Sequence, residues 1–351
     1  MAMVDLFGSF RLRDEMDFRR EDAAGNALPF AHRPQFRLQA GLKVMPHRSV
    51  DIVFRLSSGR LTDANEPHQV FGVRNGKLSI SIDQAFLAYR PAFAPGLRVA
   101  AGKMPHPFAR GAVYDELFYD ADNQPTGATI AWRWGTTQQL FVVLGEFLLL
   151  ELGSAADSHF SVGQLGADLR FWGLGLRAAL GGELYFIPSD DSNFTAPNRG
   201  NSTADNDGDG NQDELASKFR LLEALIDLTL LRLPTPLTLS AGLSHNFGAD
   251  NDQATAYYLG LSVAISAWAM RWRIYGQFQR VEQDAVFAWN VQDDFHFATT
   301  LRGAVFGVRY WPIDWLEVHL WTLLTQRVAL GGGGDDGRWQ ARLRIDLTAT
   351  F

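Results

Sequence analysis

RWQARLRIDLTATF, residues 338–351, ends the chain. Trp339, Ala341, Leu343, Ile345, Leu347, Ala349 and Phe351 alternate with Arg338, Gln340, Arg342, Arg344, Asp346, Thr348 and Thr350. A period of two is that of a β-strand with one apolar and one polar face. In a soluble sandwich the apolar face would pack a core and the arginines would meet water outside. The opposite arrangement is also open, and the number of such strands decides between them.

The same alternation recurs along the chain. Residues near 35–45 alternate Phe36, Leu38, Ala40, Leu42 and Val44 with Arg37, Gln39, Gly41 and Lys43. Residues near 174–187 alternate Leu176, Ala178, Leu180, Gly182, Leu184 and Phe186 with Arg177, Gly181, Glu183 and Tyr185. The pattern predicts about sixteen strands of roughly 9–14 residues, the length of tilted membrane strands. The fourth, seventh and tenth strands are apolar on both faces or change parity, which predicts a bulge or a one-residue slip in each. Short connections such as PHRS (46–49) and GTTQ (135–138) alternate with mostly long ones such as 58–77, 105–126, 188–217 and 282–296. Segregation of this kind is expected of an outer-membrane barrel, with short periplasmic turns and long external loops. Trp132, Trp134, Phe171, Trp172, Trp268, Trp272, Tyr310, Trp311, Trp315 and Phe351 all fall beside short turns, where an interfacial aromatic girdle would lie.

Composition agrees. A chain of 351 residues with no linker suits one large barrel over 1–351. The lack of cysteine suggests an extracytoplasmic compartment, and the net charge of −7 argues against a nucleic-acid partner. The most apolar run, LFVVLGEFLLLEL (140–152), is too short for a membrane helix and contains Glu146 and Glu151. No secretory signal is visible in MAMVDLFGSF, so the expectation is a mature form with an added start.

The polar face then decides. Arg11, Arg13, Arg37, Lys43, Arg55, Arg271, Arg273, Arg342 and Arg344 share the non-apolar parity. Sixteen strands enclose a channel, whereas about eight can be filled by side chains. An oily face turned inward would leave a hole lined with leucine. The reading is therefore an all-β, antiparallel up-and-down transmembrane barrel with a water-filled lumen. Its nine cations are expected to line the pore, mostly as one basic wall on the first three strands and the last. Glu223 and Asp227 are expected across from them. The loop at 105–126, with Asp115, Glu116, Asp120 and Asp122, is long enough to fold inward as a constriction facing the arginines.

FGSFRLRDEMDFRRED followed by RPQFRLQAGLKV resembles the first hairpin of bacterial putative porins. The run QAFLAYRPAF…LRVAAGKMPHPF…LFYDADNQPTGATIAW is similar to their middle section, where Gly-Lys-Met-Pro-x-Pro-Phe enters a long loop and Asp-x-Asn-x-x-x-Gly leaves it. The resemblance covers about 5–135 and the last strand. It implies a sixteen-stranded diffusion channel of the bacterial outer membrane, often a homotrimer. Its surroundings would be lipid and lipopolysaccharide, its cargo small hydrophilic solutes, and Phe351 would be the signal read by the barrel-insertion machinery. Rival readings are a specific channel or exporter for an acidic sugar or polymer, and a non-transport barrel serving as adhesin or enzyme. No hydrolase elbow, phosphate loop or dinucleotide fingerprint is present, so an enzyme is not expected.

One motif stands apart. DNDGDGNQDE (205–214) places Asp205, Asp207, Asp209, Asn211 and Asp213 at the spacing of an oxygen-ligand loop, and two readings stand: a calcium site or a solvated acidic loop. Ala216 stands where an EF-hand has its bidentate glutamate, so Glu214 would have to substitute. No other cofactor is expected.

Overall fold

The computed structural model describes residues 3–21, 26–60, 63–72, 78–114, 117–151, 153, 156–194, 200–267, 270–292, 294–328 and 337–351. Among these, sixteen strands build one antiparallel barrel. In chain order they are β1 (Met3–Phe18), β2 (Ala31–His47), β3 (Val50–Ser58), β4 (Ile80–Tyr89), β5 (Leu97–Lys103), β6 (Thr126–Trp134), β7 (Gln139–Leu150) and β8 (Ser158–Phe171). The second half comprises β9 (Leu174–Phe186), β10 (Arg220–Leu230), β11 (Leu237–Asn246), β12 (Thr255–Ala267), β13 (Met270–Val281), β14 (Leu301–Ile313), β15 (Leu316–Arg327) and β16 (Gln340–Thr350). Each strand pairs with its sequence neighbour, and β1 pairs with β16 from Ser9↔Thr350 to Phe18↔Ala341, which closes the barrel. No helix among the described residues is long and apolar enough to cross a membrane; strands do the crossing.

The pleat sorts side chains as the alternation implied. Leu12, Ile52, Ile130, Leu144, Leu165, Ile226, Leu259, Phe306 and Ile345 are exposed on the outer wall. Arg13, Glu15, Gln39, Gln164, Ser244, Gln279 and Asp346 are buried inside. The short connections and both chain ends share one rim. There Trp132 and Trp134 pack at 4.7 Å, and Trp272 stacks on Tyr310 at 4.1 Å. The connection from β8 to β9 is the two-residue turn Trp172–Gly173, with φ of 45° and 87°. Positive φ at both positions matches the twist of the strands it joins. Trp311 departs from the girdle: it lies opposite Arg271 on the inward parity, with the Arg271 guanidinium 5.9 Å from its ring centroid. Trp268 lies outside the described residues.

Two of the three doubtful strands carry irregularities. On β4 the register against β3 skips Asp83, so Asp83 and Gln84 both turn inward and Arg55 gains a carboxylate at 2.5 Å. Between β7 and β8 the register skips Leu149. The tenth strand is regular against both neighbours, and Glu223 and Asp227 face inward as expected.

The interior is less open than a sixteen-stranded hoop would be. Loops 104–125 and 282–300 fold into it. Phe287 of the second loop packs with Tyr185 at 4.8 Å and Phe219 at 5.3 Å; Tyr185 stacks on Phe160, and Phe160 on Phe147. These inward aromatics from β7–β10 fill the half of the barrel opposite the arginines. Open space is left in the other half and toward the short-turn rim.

The seam between first and last strands depends on a glycine. Gly8 and Phe351 exchange backbone hydrogen bonds of 2.9 and 3.1 Å, and a Cβ on Gly8 would collide with the Phe351 ring and the Gln39 carbonyl. Gly8→Val is expected to destabilise closure by about 1–3 kcal/mol, the usual cost of overpacking. The measurement is the temperature at which the compact barrel band is lost on a semi-native gel, which should fall.

Candidate functional site

The site grows from the register of three strands. Arg11 lies opposite Arg37 on β2 and Thr348 on β16; Arg13 faces Asp346, Glu15 faces Arg344, and Asp17 faces Arg342. The sequence reading counted the cations on this parity and passed over the carboxylates interleaved with them. Arg13 grips Asp346 through two hydrogen bonds of 2.8 and 3.0 Å. Arg344 donates to Glu15 at 2.6 Å and to Asp294, and Arg342 donates to Asp17 at 2.7 Å. All of these groups except the half-buried Asp294 are buried, and a buried cation without such a partner would be severely penalised. The wall is therefore a ladder of alternating charge rather than a basic surface.

Like charges opposite one another are unfavourable in a sheet, and Arg11↔Arg37 is such a pair. Its counter-ions are the most distant of the ladder: Asp346 lies 3.9 Å from Arg11, and Asp122 lies 3.3 Å from Arg37. Asp122 arrives from loop 104–125, which spans the lumen. The Ala109 amide donates to Gln164 at 2.7 Å, the Ala112 amide donates to Asp227 at 3.1 Å, and the Arg273 guanidinium donates to the carbonyls of Ala112 and Val113. Asp227 thus pins the loop instead of facing water, and Glu223 is enclosed. Asp120 is also buried and caps its own turn by accepting from the Asp122 amide at 2.7 Å. Asp115 and Glu116 lie outside the described residues.

A cavity of about 370 Å³ remains between this loop and the wall. Six guanidiniums line it, from Arg11, Arg13, Arg37, Arg273, Arg309 and Arg344; five carboxylates do, from Glu66, Asp120, Asp122, Asp294 and Asp346. A second cavity of about 640 Å³ opens toward the short-turn rim, and Ala112 borders both. The remaining predicted cations lie elsewhere. Arg55 pairs with Asp83, Lys43 lies 3.6 Å from Asp51, and Arg271 sits exposed beside Asp314 at 2.9 Å on the rim. Arg342 is held under loop 282–300, donating to the Asp294 carbonyl at 2.5 Å.

Sequence reasoning missed Arg309, Glu66 and Asp294. Arg309 sits on the inward parity of β14 and could have been counted. The inward folding of 282–300 was signalled by its apolar run Ala285, Val286, Phe287, Ala288 and Trp289, unusual for a loop in water. The loop groups are electrostatically tuned. Burial pushes the Glu66 carboxyl up. Burial, then the neighbouring Arg13 and Arg11, hold the His68 imidazole well below its ordinary range. Burial would raise Asp294 too, but Arg344 and Arg13 overcome it and hold that carboxyl below the usual range.

In the acidic loop, carboxylate oxygens of Asp205, Asp207 and Asp209 lie within 4.8 Å of one another and are exposed. They also accept from the loop's own amides: Asp205 from Gly208 and Gly210, Asp207 from Asp209, and Asp209 from Asn211. Asp213 lies further along, before the two-residue strand Glu214–Leu215.

Comparison with known proteins accords with this architecture. Residues 21–174 match the family model described as "Putative porin". No curated protein matches the chain. Among solved structures, OprB of Pseudomonas putida superposes with a TM-score of 0.66 at 13% identity, covering 99% of this chain and 94% of that one. OmpF of Salmonella typhi, in complex with daunomycin, gives 0.56 at 11% identity, with 100% of both chains covered. An anion-selective porin from Comamonas acidovorans gives 0.55 at 12% identity, again covering 100% of both. At these identities the likeness is one of fold, and the family match adds the sequence relation. Residues 21–174 thus carry sequence like that of the porin family, and the whole chain carries the fold of the porin barrels.

Proposed function

We propose that small hydrophilic solutes cross this barrel by passive diffusion, weakly biased toward anions and dipoles by a field that runs across the passage. The observation that carries the reading is the division of charge in the 370 Å³ cavity: all six guanidiniums come from barrel strands, and four of the five carboxylates come from inserted loops. A passage bounded by low-dielectric walls focuses such a field and orients a dipolar solute while it is narrowest. The excess of one cation, and the loosely paired Arg11 and Arg37, support a small preference for anions. Carboxylate partners on Arg13, Arg342, Arg344 and Arg55 interrupt the continuous arginine path that a dedicated channel for acidic sugars would need. The reading includes a homotrimer in outer-membrane lipid, insertion signalled by Phe351, and calcium at Asp205, Asp207, Asp209, Asn211 and Asp213. Calorimetric titration with calcium tests the last.

Three measurements test the rest. Reversal potentials across planar bilayers under a salt gradient should have the sign of mild anion preference, and strong cation preference would refute the assignment. As pH falls from neutral, Glu66, whose carboxyl is pushed up, takes a proton before Asp294, whose carboxyl is pushed down. The passage then loses a negative charge, so anion preference should rise as pH falls, and Glu66→Gln should remove most of that change. Asp227→Ala removes the acceptor of the Ala112 amide and should free the loop tip, giving larger and noisier single-channel conductance with the barrel intact.

A further inference from the structure

The outer wall carries a feature that conduction does not use. Near the long-loop rim the register sets outward residues in rows. Glu146 on β7 lies opposite Ser161 on β8, Ser161 opposite Leu184 on β9, and Leu184 opposite Arg220 on β10. One row nearer the membrane centre, Gly163 lies opposite Gly182, so two neighbouring strands lack side chains at the same height. The result is a hollow of about 440 Å³ in the hydrocarbon-facing wall, walled by Leu184, Leu222 and Phe247, with Ser161 and Arg220 at its upper edge. Exposed Leu165 and Leu180 continue the apolar surface below it. Above it, a groove of about 790 Å³ shares Leu184 and Arg220 with the hollow and runs past Phe186 and Lys218 to Ser189 and Asn206.

Charge distinguishes this strip from ordinary barrel wall. Lys218 and Arg220 stand two residues apart on the same outward parity, both exposed. Neither side chain has an ion pair or hydrogen bond among the described residues. The nearby carboxylate, Glu146, is already engaged by His159 at 2.5 Å and by Ser161, and Leu184 lies between it and Arg220. The upper groove holds one further carboxylate, Asp157, which has partners of its own. Two free cations directly above an apolar hollow, at the height where hydrocarbon gives way to headgroups, are complementary to an anion attached to an acyl chain. A two-fold contact with a second copy would instead bring the two pairs of cations together.

We propose that this wall binds one phosphate-bearing, acylated lipid of the outer leaflet, with an acyl chain in the Gly163–Gly182 hollow and a phosphate against Lys218 and Arg220. The site deepens the reading of an outer-membrane barrel by naming where and how such a lipid is held, and it is independent of whether solutes cross.

Native mass spectrometry of the full chain in detergent, titrated with bis-phosphorylated hexa-acyl lipid A, tests it. The wild type should retain one lipid, and should retain the fully dephosphorylated lipid about tenfold less well. Lys218→Ala with Arg220→Ala should weaken retention by about the same factor. Gly163→Phe should weaken it by filling the hollow; a Cβ there has room, its nearest neighbour being Leu144 at 3.5 Å. Arg302→Ala, outward on β14 four strands beyond β10, should bind as the wild type does. Each variant is compared by its heat-modifiable gel band and its conductance, so loss of the barrel is read separately from loss of the lipid. Equal retention by the folded double variant, equal retention of the dephosphorylated lipid, or a dimer abolished by the same two substitutions would overturn the proposal.

Discussion

Hydrocarbon accepts and donates no hydrogen bonds, and that single deficiency organises the molecule. Every backbone amide between the two interfaces must find a partner in a neighbouring strand, so the sheet has to close on itself. Closure brings β1 against β16, and Gly8 against Phe351 at the seam. It also assigns the two parities of each strand: leucine and phenylalanine outward, charge inward. Once inward, the charges are held in a confined space, where each needs a partner. Arg13 with Asp346, Arg344 with Glu15 and Arg342 with Asp17 follow from that need, and the bulge at Asp83 serves the same end for Arg55.

The enclosed space is divided unequally. One half is packed by aromatic side chains from β7–β10 against Phe287 of loop 282–300, and the other keeps an open cavity. Loop 104–125 crosses between them, tied to the wall through Gln164, Asp227 and Arg273. The division matters because selectivity in a wide hoop would be slight. The loops bring their carboxylates close to the strand arginines around the cavity beside Arg11 and Arg37, the arrangement on which the proposed charge bias rests. Loop 282–300 supplies Asp294 and the β3–β4 connection supplies Glu66, and their opposite tuning arises because Asp294 lies directly beside Arg344 and Glu66 does not share that contact.

The outer wall follows the same parity with a different consequence. Where two glycines fall opposite each other the wall becomes concave, and where the apolar rows end the next outward residues are cations. A surface that elsewhere only tolerates lipid there acquires a shape and a charge.

Strand number, the identity of the lipid-facing residues and most of the girdle were legible in the chain because a two-residue period is a local property, readable without knowing what any strand touches. Cations on the inward parity were legible for the same reason. Their neutralisation was not: whether Arg13 meets Asp346 depends on the register between strands more than three hundred residues apart, and whether Arg11 meets Arg37 on the register of the first hairpin. Nor could the sequence say that Asp227 would hold a loop rather than face water, that Trp311 would turn inward, or that 282–300 would fold inside. Periodicity determines which face a residue occupies; only closure of the barrel and packing of its loops determine what lies opposite it, because opposition is a relation between distant parts of the chain.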